Sequence, residues 1–333
     1  MQKKIIALAI AAAVSAPAFA DNANVTVYGK AILTLDAVSN DKATATKTSA
    51  MAINTNASRF GVKGSEDLGG GLKAVYKYEL EMDASGKTGA GLGKTRNSGL
   101  GLQGGFGKVV MGIWDSPFKV THNKVELFDN TTVYSAGNLI GHANGKKYAT
   151  RQKQMIQYWT PKGPLSAAVS FHADPAPTAT TDKSILSASA TYNDSGLYVA
   201  VGYESRADES AAGKTNTGLR LVGRYDFSGA WIGLTQENYT VNDLTQSNSE
   251  LTGSVKLGSN TLAASYAVAG DVNSAKVGAN QVSLRYGMTM SKRSEIFLAY
   301  TALKNDTNGT YGLFGKDAGS TQSAFGLGMI HKF

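Results

Sequence analysis

No cysteine occurs in the 333 residues, so neither a disulfide framework nor thiolate chemistry is available. Helical periodicity is nearly absent. Beyond residue 20 no apolar run approaches the ~20 residues that a bilayer-crossing helix needs. Bulky core formers are scarce for the length while glycine reaches 38, which argues against one large soluble core. The formal net charge is +8, but its cations are scattered rather than clustered, so no nucleic-acid footprint is expected.

What is present begins with an address. Lys3 and Lys4 precede a ten-residue apolar run, 5–14, and Ala18-Phe19-Ala20 supplies small residues at a cleavage site. This layout predicts a secretory signal peptide, 1–20, cut after Ala20, and the apolar run is too short to be a membrane anchor. Loss of Lys3 and Lys4 takes the charge of the mature chain, 21–333, from +8 to +6. An exported chain without a spanning helix is either a soluble secreted protein or a membrane barrel.

Alternation is the dominant signal after that point. Sixteen segments read as strands: 25–37, 58–64, 72–83, 98–104, 108–114, 152–160, 165–173, 184–192, 197–205, 217–227, 230–239, 250–257, 261–269, 281–290, 295–305 and 322–333. The count is even. Short turns follow the even-numbered segments and longer polar loops follow the odd ones. An up-and-down antiparallel barrel predicts that rhythm, whereas a Greek-key sandwich does not.

Each segment also has two faces. In the last, Phe325, Leu327, Met329 and Phe333 oppose Ala324, Gly326, Gly328 and Lys332, with Ile330 as the exception. Val282, Leu284, Tyr286 and Met288 oppose Gln281, Ser283, Arg285 and Gly287. Alternation alone does not say which face meets water. Three features favour apolar faces toward lipid: the glycine content, the lack of covering helices, and tyrosines near segment ends. Tyr28, Tyr134, Tyr148, Tyr158, Trp159, Tyr192, Tyr203, Tyr225, Tyr239 and Tyr300 suit interfacial girdles. Closure would then remove every sheet edge. The expected fold is all-β, a 16-stranded antiparallel transmembrane barrel.

Particular residues carry a resemblance. Val25-Thr26-Val27-Tyr28-Gly29, the stretch from Ser58 to Ala74 (SRFGVKGSEDLGGGLKA), and Gly105-Phe106-Gly107-Lys108-Val109-Val110-Met111-Gly112 resemble the Gram-negative general porins of β-proteobacterial, neisserial type. The terminal Phe333 is similar to the end of outer-membrane barrels that the assembly machinery reads as its signal. The resemblance implies a homotrimer in the cell outer membrane of a Gram-negative bacterium, surrounded by outer-membrane lipid. It also implies a long loop after the fifth strand, about 115–150, folded into the lumen as a constriction. The chain departs from that family at Ile113, where many members carry Arg, and at Ile32, where many carry Asp.

Such a channel works by pore radius and wall charge, passing small hydrophilic solutes and ions without chemistry. Strand phase puts Arg59, Lys63, Lys77, Arg151 and Lys153 on the lumen wall, and the in-folded loop offers Asp115, Glu126 and Asp129. A basic wall facing an acidic loop would set a transverse field, and the +6 balance suggests weak anion preference. Arg96 shares phase with Leu100 and Leu102 and is expected at the outer rim.

No catalytic residue, cofactor or metal is expected. Gly99-Leu100-Gly101-Leu102-Gln103-Gly104 matches a dinucleotide-binding pattern but lies in a strand before a turn, not before a helix. His122, His142, His172 and His331 lack metal-ligand spacing. An outer-membrane hydrolase would need a placed nucleophile and base. A secreted adhesin predicts a soluble product. A substrate-specific channel of the same fold shares all these features and stays open.

Overall fold

The structure, a computed structural model, describes residues 24–42, 49–87, 91–128 and 133–333; the expected signal peptide and Asp129 lie outside these. The strands are β1 (Asn24–Asn40), β2 (Ser49–Thr55), β3 (Arg59–Gly69), β4 (Leu72–Met82), β5 (Leu92–Thr95), β6 (Ser98–Gly104) and β7 (Gly107–Asp115). A short helix, α1 (Pro117–Val120), and a small hairpin, β8 (His142–Ala143) and β9 (Lys146–Lys147), lie in the next connection. Then come β10 (Arg151–Trp159), β11 (Leu165–His172), β12 (Ile185–Asp194), β13 (Leu197–Ala207), β14 (Thr215–Phe227) and β15 (Ala230–Val241). The chain ends with β16 (Leu244–Leu257), β17 (Asn260–Ala269), β18 (Ala279–Thr289), β19 (Ser294–Asn305) and β20 (Thr321–Lys332).

All but β8 and β9 form one antiparallel sheet, closed by β1 pairing with β20 from Lys30↔Lys332 to Asn40↔Gln322. Two wall strands are interrupted. β2 and β3 both pair with β1, and β5 and β6 both pair with β4, so the wall has sixteen strands. At the first break Ala57 takes a left-handed φ of 54°, and the Ser58 hydroxyl donates to the Ile32 carbonyl at 3.0 Å. The backbone therefore stays satisfied where the ladder fails, as lipid demands.

β2 was not expected from the sequence, nor was the tight link between β15 and β16. The region around 240–249 reads as a long loop, yet Asn242 and Asp243 alone make the turn, with φ of 53° and 64°. Two adjacent left-handed residues are what a two-residue hairpin turn requires.

The faces sort as a membrane wall requires. In β13, Leu197, Val199, Val201 and Tyr203 are exposed outward, while Tyr198, Ala200, Gly202 and Glu204 are buried. In β20, Phe325, Leu327 and Met329 are exposed and Ile330 turns inward. The expected girdle divides: Tyr192, Tyr203, Tyr225 and Tyr300 are exposed on the outer face, but Tyr134, Tyr148 and Tyr239 are buried inside. Tyr28 and Trp159 also contact lumen lysines. Strand-end position alone does not distinguish the two.

What is buried inside is the connection from β7 to β10. Phe118, Val125, Tyr134, Leu139 and Tyr148 of this loop are fully buried against the inner wall. Each is worth roughly 1.5–3 kcal/mol because the alternative is lumen water. Inward-facing glycines make the room. A methyl at Gly202 would sit 3.3 Å from Phe118, one at Gly233 2.6 Å from Val125, and one at Gly326 would collide with Tyr134.

Candidate functional site

The in-folded loop is built to be clamped. Ser116 caps α1, accepting from the Lys119 amide at 3.2 Å, and the Phe118 amide donates to Ser187 Oγ at 3.0 Å. Arg220 of β14 is fully buried. It donates through Nε to Glu237 Oε1 at 2.6 Å and through Nη1 to the Phe118 carbonyl at 2.9 Å. Glu237 in turn accepts from the Gly141 amide at 2.9 Å. Asn248 donates to the His142 carbonyl at 2.6 Å, and Arg206 to the Tyr148 carbonyl at 2.9 Å. On the far side, Tyr134 donates to Asp36 at 2.6 Å.

His122 adds an ionisable clamp. Its Nε2 lies 2.5 Å from Glu250 of β16, and its Nδ1 lies 3.8 Å from Glu126. Burial alone pushes the imidazole's pKa down. The Glu250 carboxylate, by charge and hydrogen bond, together with Glu126, outweighs burial and the nearby Arg220, so the pKa is raised. His142 goes the other way: burial first, then the Lys147 ammonium, holds it down at about 4.

The loop covers the wall from β11 through β20 and part of β1, and leaves β3 to β7 open. There the cations gather. Glu79 accepts from Arg96 at 2.9 Å, Tyr28 at 2.8 Å and Lys77 at 3.0 Å. Asp115 meets Lys119 at 2.7 Å and Arg151 at 3.4 Å, with Asn97 bridging to Arg151 at 2.8 Å. Arg59 feels Arg96, Glu79 and Asp115 electrostatically, so it joins the same cluster. Glu81, the cross-strand partner of Arg59, also acts on Arg151, so Arg59, Lys77, Arg96, Arg151 and Lys119 surround three carboxylates.

Of the expected lumen cations, Arg59, Lys77 and Arg151 fall in this cluster, and Lys63 stands lower on the same wall, 5.3 Å over the Tyr28 ring. Lys153 is exposed in a β-bulge after the inward-facing Gln152 and leaves the row. Arg96 corrects the sequence reading. It is 8% exposed and paired with Glu79, not placed at the outer rim. The break between β5 and β6 at Arg96-Asn97 shifts the phase that Leu100 and Leu102 set.

The loop acids are also placed differently. Asp115 stands at the loop's neck among the cations. Glu126 accepts from Ser135 at 2.7 Å and from the Phe128 amide at 3.0 Å, beside a 170 Å³ cavity that Lys119 and Lys147 also line. Sequence reasoning missed Glu79 as the organiser of the basic cluster, although its alternation with Lys77 and Glu81 carried the signal. Ile32 is fully buried and faces Ile330 across the closing seam, and Ile113 shares the outward phase of Met111.

A closed sixteen-stranded barrel with lipid-facing apolar residues, an in-folded loop and a charged lumen defines an outer-membrane channel. Residues 7–308 match the model of the Gram-negative porin family, and the chain belongs to that family. It is an outer-membrane porin of a Gram-negative bacterium. It is 28% identical to outer membrane porin protein 32 of Delftia acidovorans, over 100% of both chains. It is 36% identical over 155 residues, 45% of each chain, to major outer membrane protein P.IB of Neisseria meningitidis serogroup B. Among solved structures, the anion-selective porin from Comamonas acidovorans aligns with a TM-score of 0.81 at 24% identity, over 94% of this chain and 100% of that one. The trimer form of in-vitro folded OmpT of Vibrio cholerae aligns at 0.69 and 19% identity, over 94% and 100%.

Proposed function

We propose that the mature chain, 21–333, passes small hydrophilic solutes and ions by passive diffusion, with an anion preference, as a homotrimer. The observation that carries this is the open wall. Among the described residues, five cations, Arg59, Lys77, Arg96, Arg151 and Lys119, stand around three carboxylates, Glu79, Asp115 and Glu81. One unit charge ~10 Å from an ion in water contributes only ~0.4 kcal/mol, so selectivity comes from their sum. The Comamonas neighbour described as anion-selective and the trimeric Vibrio neighbour support this reading.

Phe333 closes the seam, its amide and carbonyl bonded to Gly29 at 3.1 and 2.8 Å with its ring half exposed. In this reading it is the assembly signal for the barrel-assembly machinery. Reversal potential across a planar bilayer in a salt gradient tests the proposal. An anion-leaning value is expected, and a cation-leaning one overturns it.

A further inference from the structure

Below the arginine cluster, toward the rim of short turns, cations and aromatic rings alternate down the open wall. Lys63 and Lys77 lie 5.3 and 5.7 Å from the Tyr28 ring centroid. Lys77 and Lys108 lie 5.5 and 5.4 Å from that of Trp114, and Lys108 lies 4.0 Å from that of Trp159. The two tryptophans meet edge to face at 5.7 Å. A recess of 510 Å³ opens beside Tyr28, Trp114 and the three lysines, within the range of small-molecule sites.

Three features say that this tier is more than a packed wall. Lys63 and Lys77 are direct cross-strand partners, and like charges placed so repel. Glu79 relieves Lys77, but among the described residues no carboxylate pairs with Lys63 or Lys108. Three aromatic rings here also face a watery lumen, where a channel for ions alone needs none.

The ammonium groups recognise an anion, and the rings recognise a flat apolar body. We propose that this tier is a binding subsite for small aromatic carboxylates, which it concentrates on the periplasmic side of the constriction. The carboxylate bridges lysine ammonium groups, and the ring stacks on Trp114 in the offset or edge-on geometry such pairs prefer. The inference rests on the channel reading above and names a solute class for it.

The test is block of single-channel KCl current by benzoate, acetate and benzyl alcohol, each added from either side. Benzoate is expected to block at roughly five-fold lower concentration than acetate, the size of one aromatic contact. Benzyl alcohol, which has the ring but no charge, is expected to block least. Trp114→Leu should bring benzoate and acetate together, and Lys63→Gln with Lys108→Gln should bring benzoate down to benzyl alcohol. Quenching of tryptophan fluorescence by 4-nitrobenzoate in detergent, competed by benzoate at roughly five-fold lower concentration than by acetate, reads the same site without a bilayer and without a variant. KCl conductance with equal block by benzoate and acetate overturns the subsite and leaves the porin standing. Absence of any conductance steps overturns the channel reading and the subsite with it.

Discussion

The wall under the loop and the wall left open belong to one sheet and obey one alternation, yet they are furnished oppositely. Under the loop, inward positions are glycine, small residues, amides and charges that find charged partners, such as Arg220 with Glu237 and Arg206 with Glu204 and Glu209. On the open side they are cations in excess of carboxylates, with aromatic rings between them. Inward polarity therefore has two meanings in a barrel. Where a loop covers it, each polar group must find a protein partner. Where water covers it, charge can stay unmatched and act on passing ions.

The largest break in that contrast should come from unmatching a covered charge. Glu237→Leu strands the fully buried Arg220 and frees the Gly141 amide, a loss of about 3–5 kcal/mol. Denaturant unfolding in detergent and open-channel noise would register it. Arg96→Leu on the open wall should cost clearly less, and equal losses would erase the distinction.

Next comes pH. The raised His122 pKa means that its link to Glu250 stabilises fully below the ordinary imidazole value and is lost as pH rises through the folded value. His142, held at about 4, is the reverse: its contribution is present above the ordinary value and declines as pH falls toward that figure. Alkali should thus loosen the α1 end of the loop and acid its β8–β9 hairpin. A charge-assisted hydrogen bond contributes roughly 1.5–3 kcal/mol. Loop proteolysis against pH would map both, and the alkaline change should vanish in His122→Gln.

Gly233→Val fills the socket of Val125 and should cost about 1–3 kcal/mol. Gly223→Val, on the same sheet with open space around it, is the matched control for melting temperature. The smallest effect is Arg96→Gln, which should move the reversal potential slightly toward cations, by the worth of one charge, ~0.4 kcal/mol at ~10 Å.

Much of the barrel was legible because alternation is local. Leu197 to Tyr203 or Gln281 to Met288 each state their faces within a few residues. Arg96 was misplaced because a two-residue interruption resets the phase without altering composition. β2 was missed even though Met51 and Ile53, both exposed outward, carry the alternation. The Asn242-Asp243 turn had its own signal, two left-handed-tolerant residues between Val241 and Leu244. The clamps were not legible: His122 with Glu250, and Tyr134 with Asp36, join residues some hundred positions apart. No periodicity records such pairs.

The two-residue turn at Asn242-Asp243 also sets where foreign sequence can be grafted. β15 and β16 stay paired up to Val241↔Leu244, so an inserted epitope there would have to tear backbone bonds and abandon the left-handed pair. The exposed residues 211–213 between β13 and β14 would display a peptide tag while the cylinder beneath keeps its shape, whereas 306–320 is held inward by buried Leu313 and its bond to Gln322.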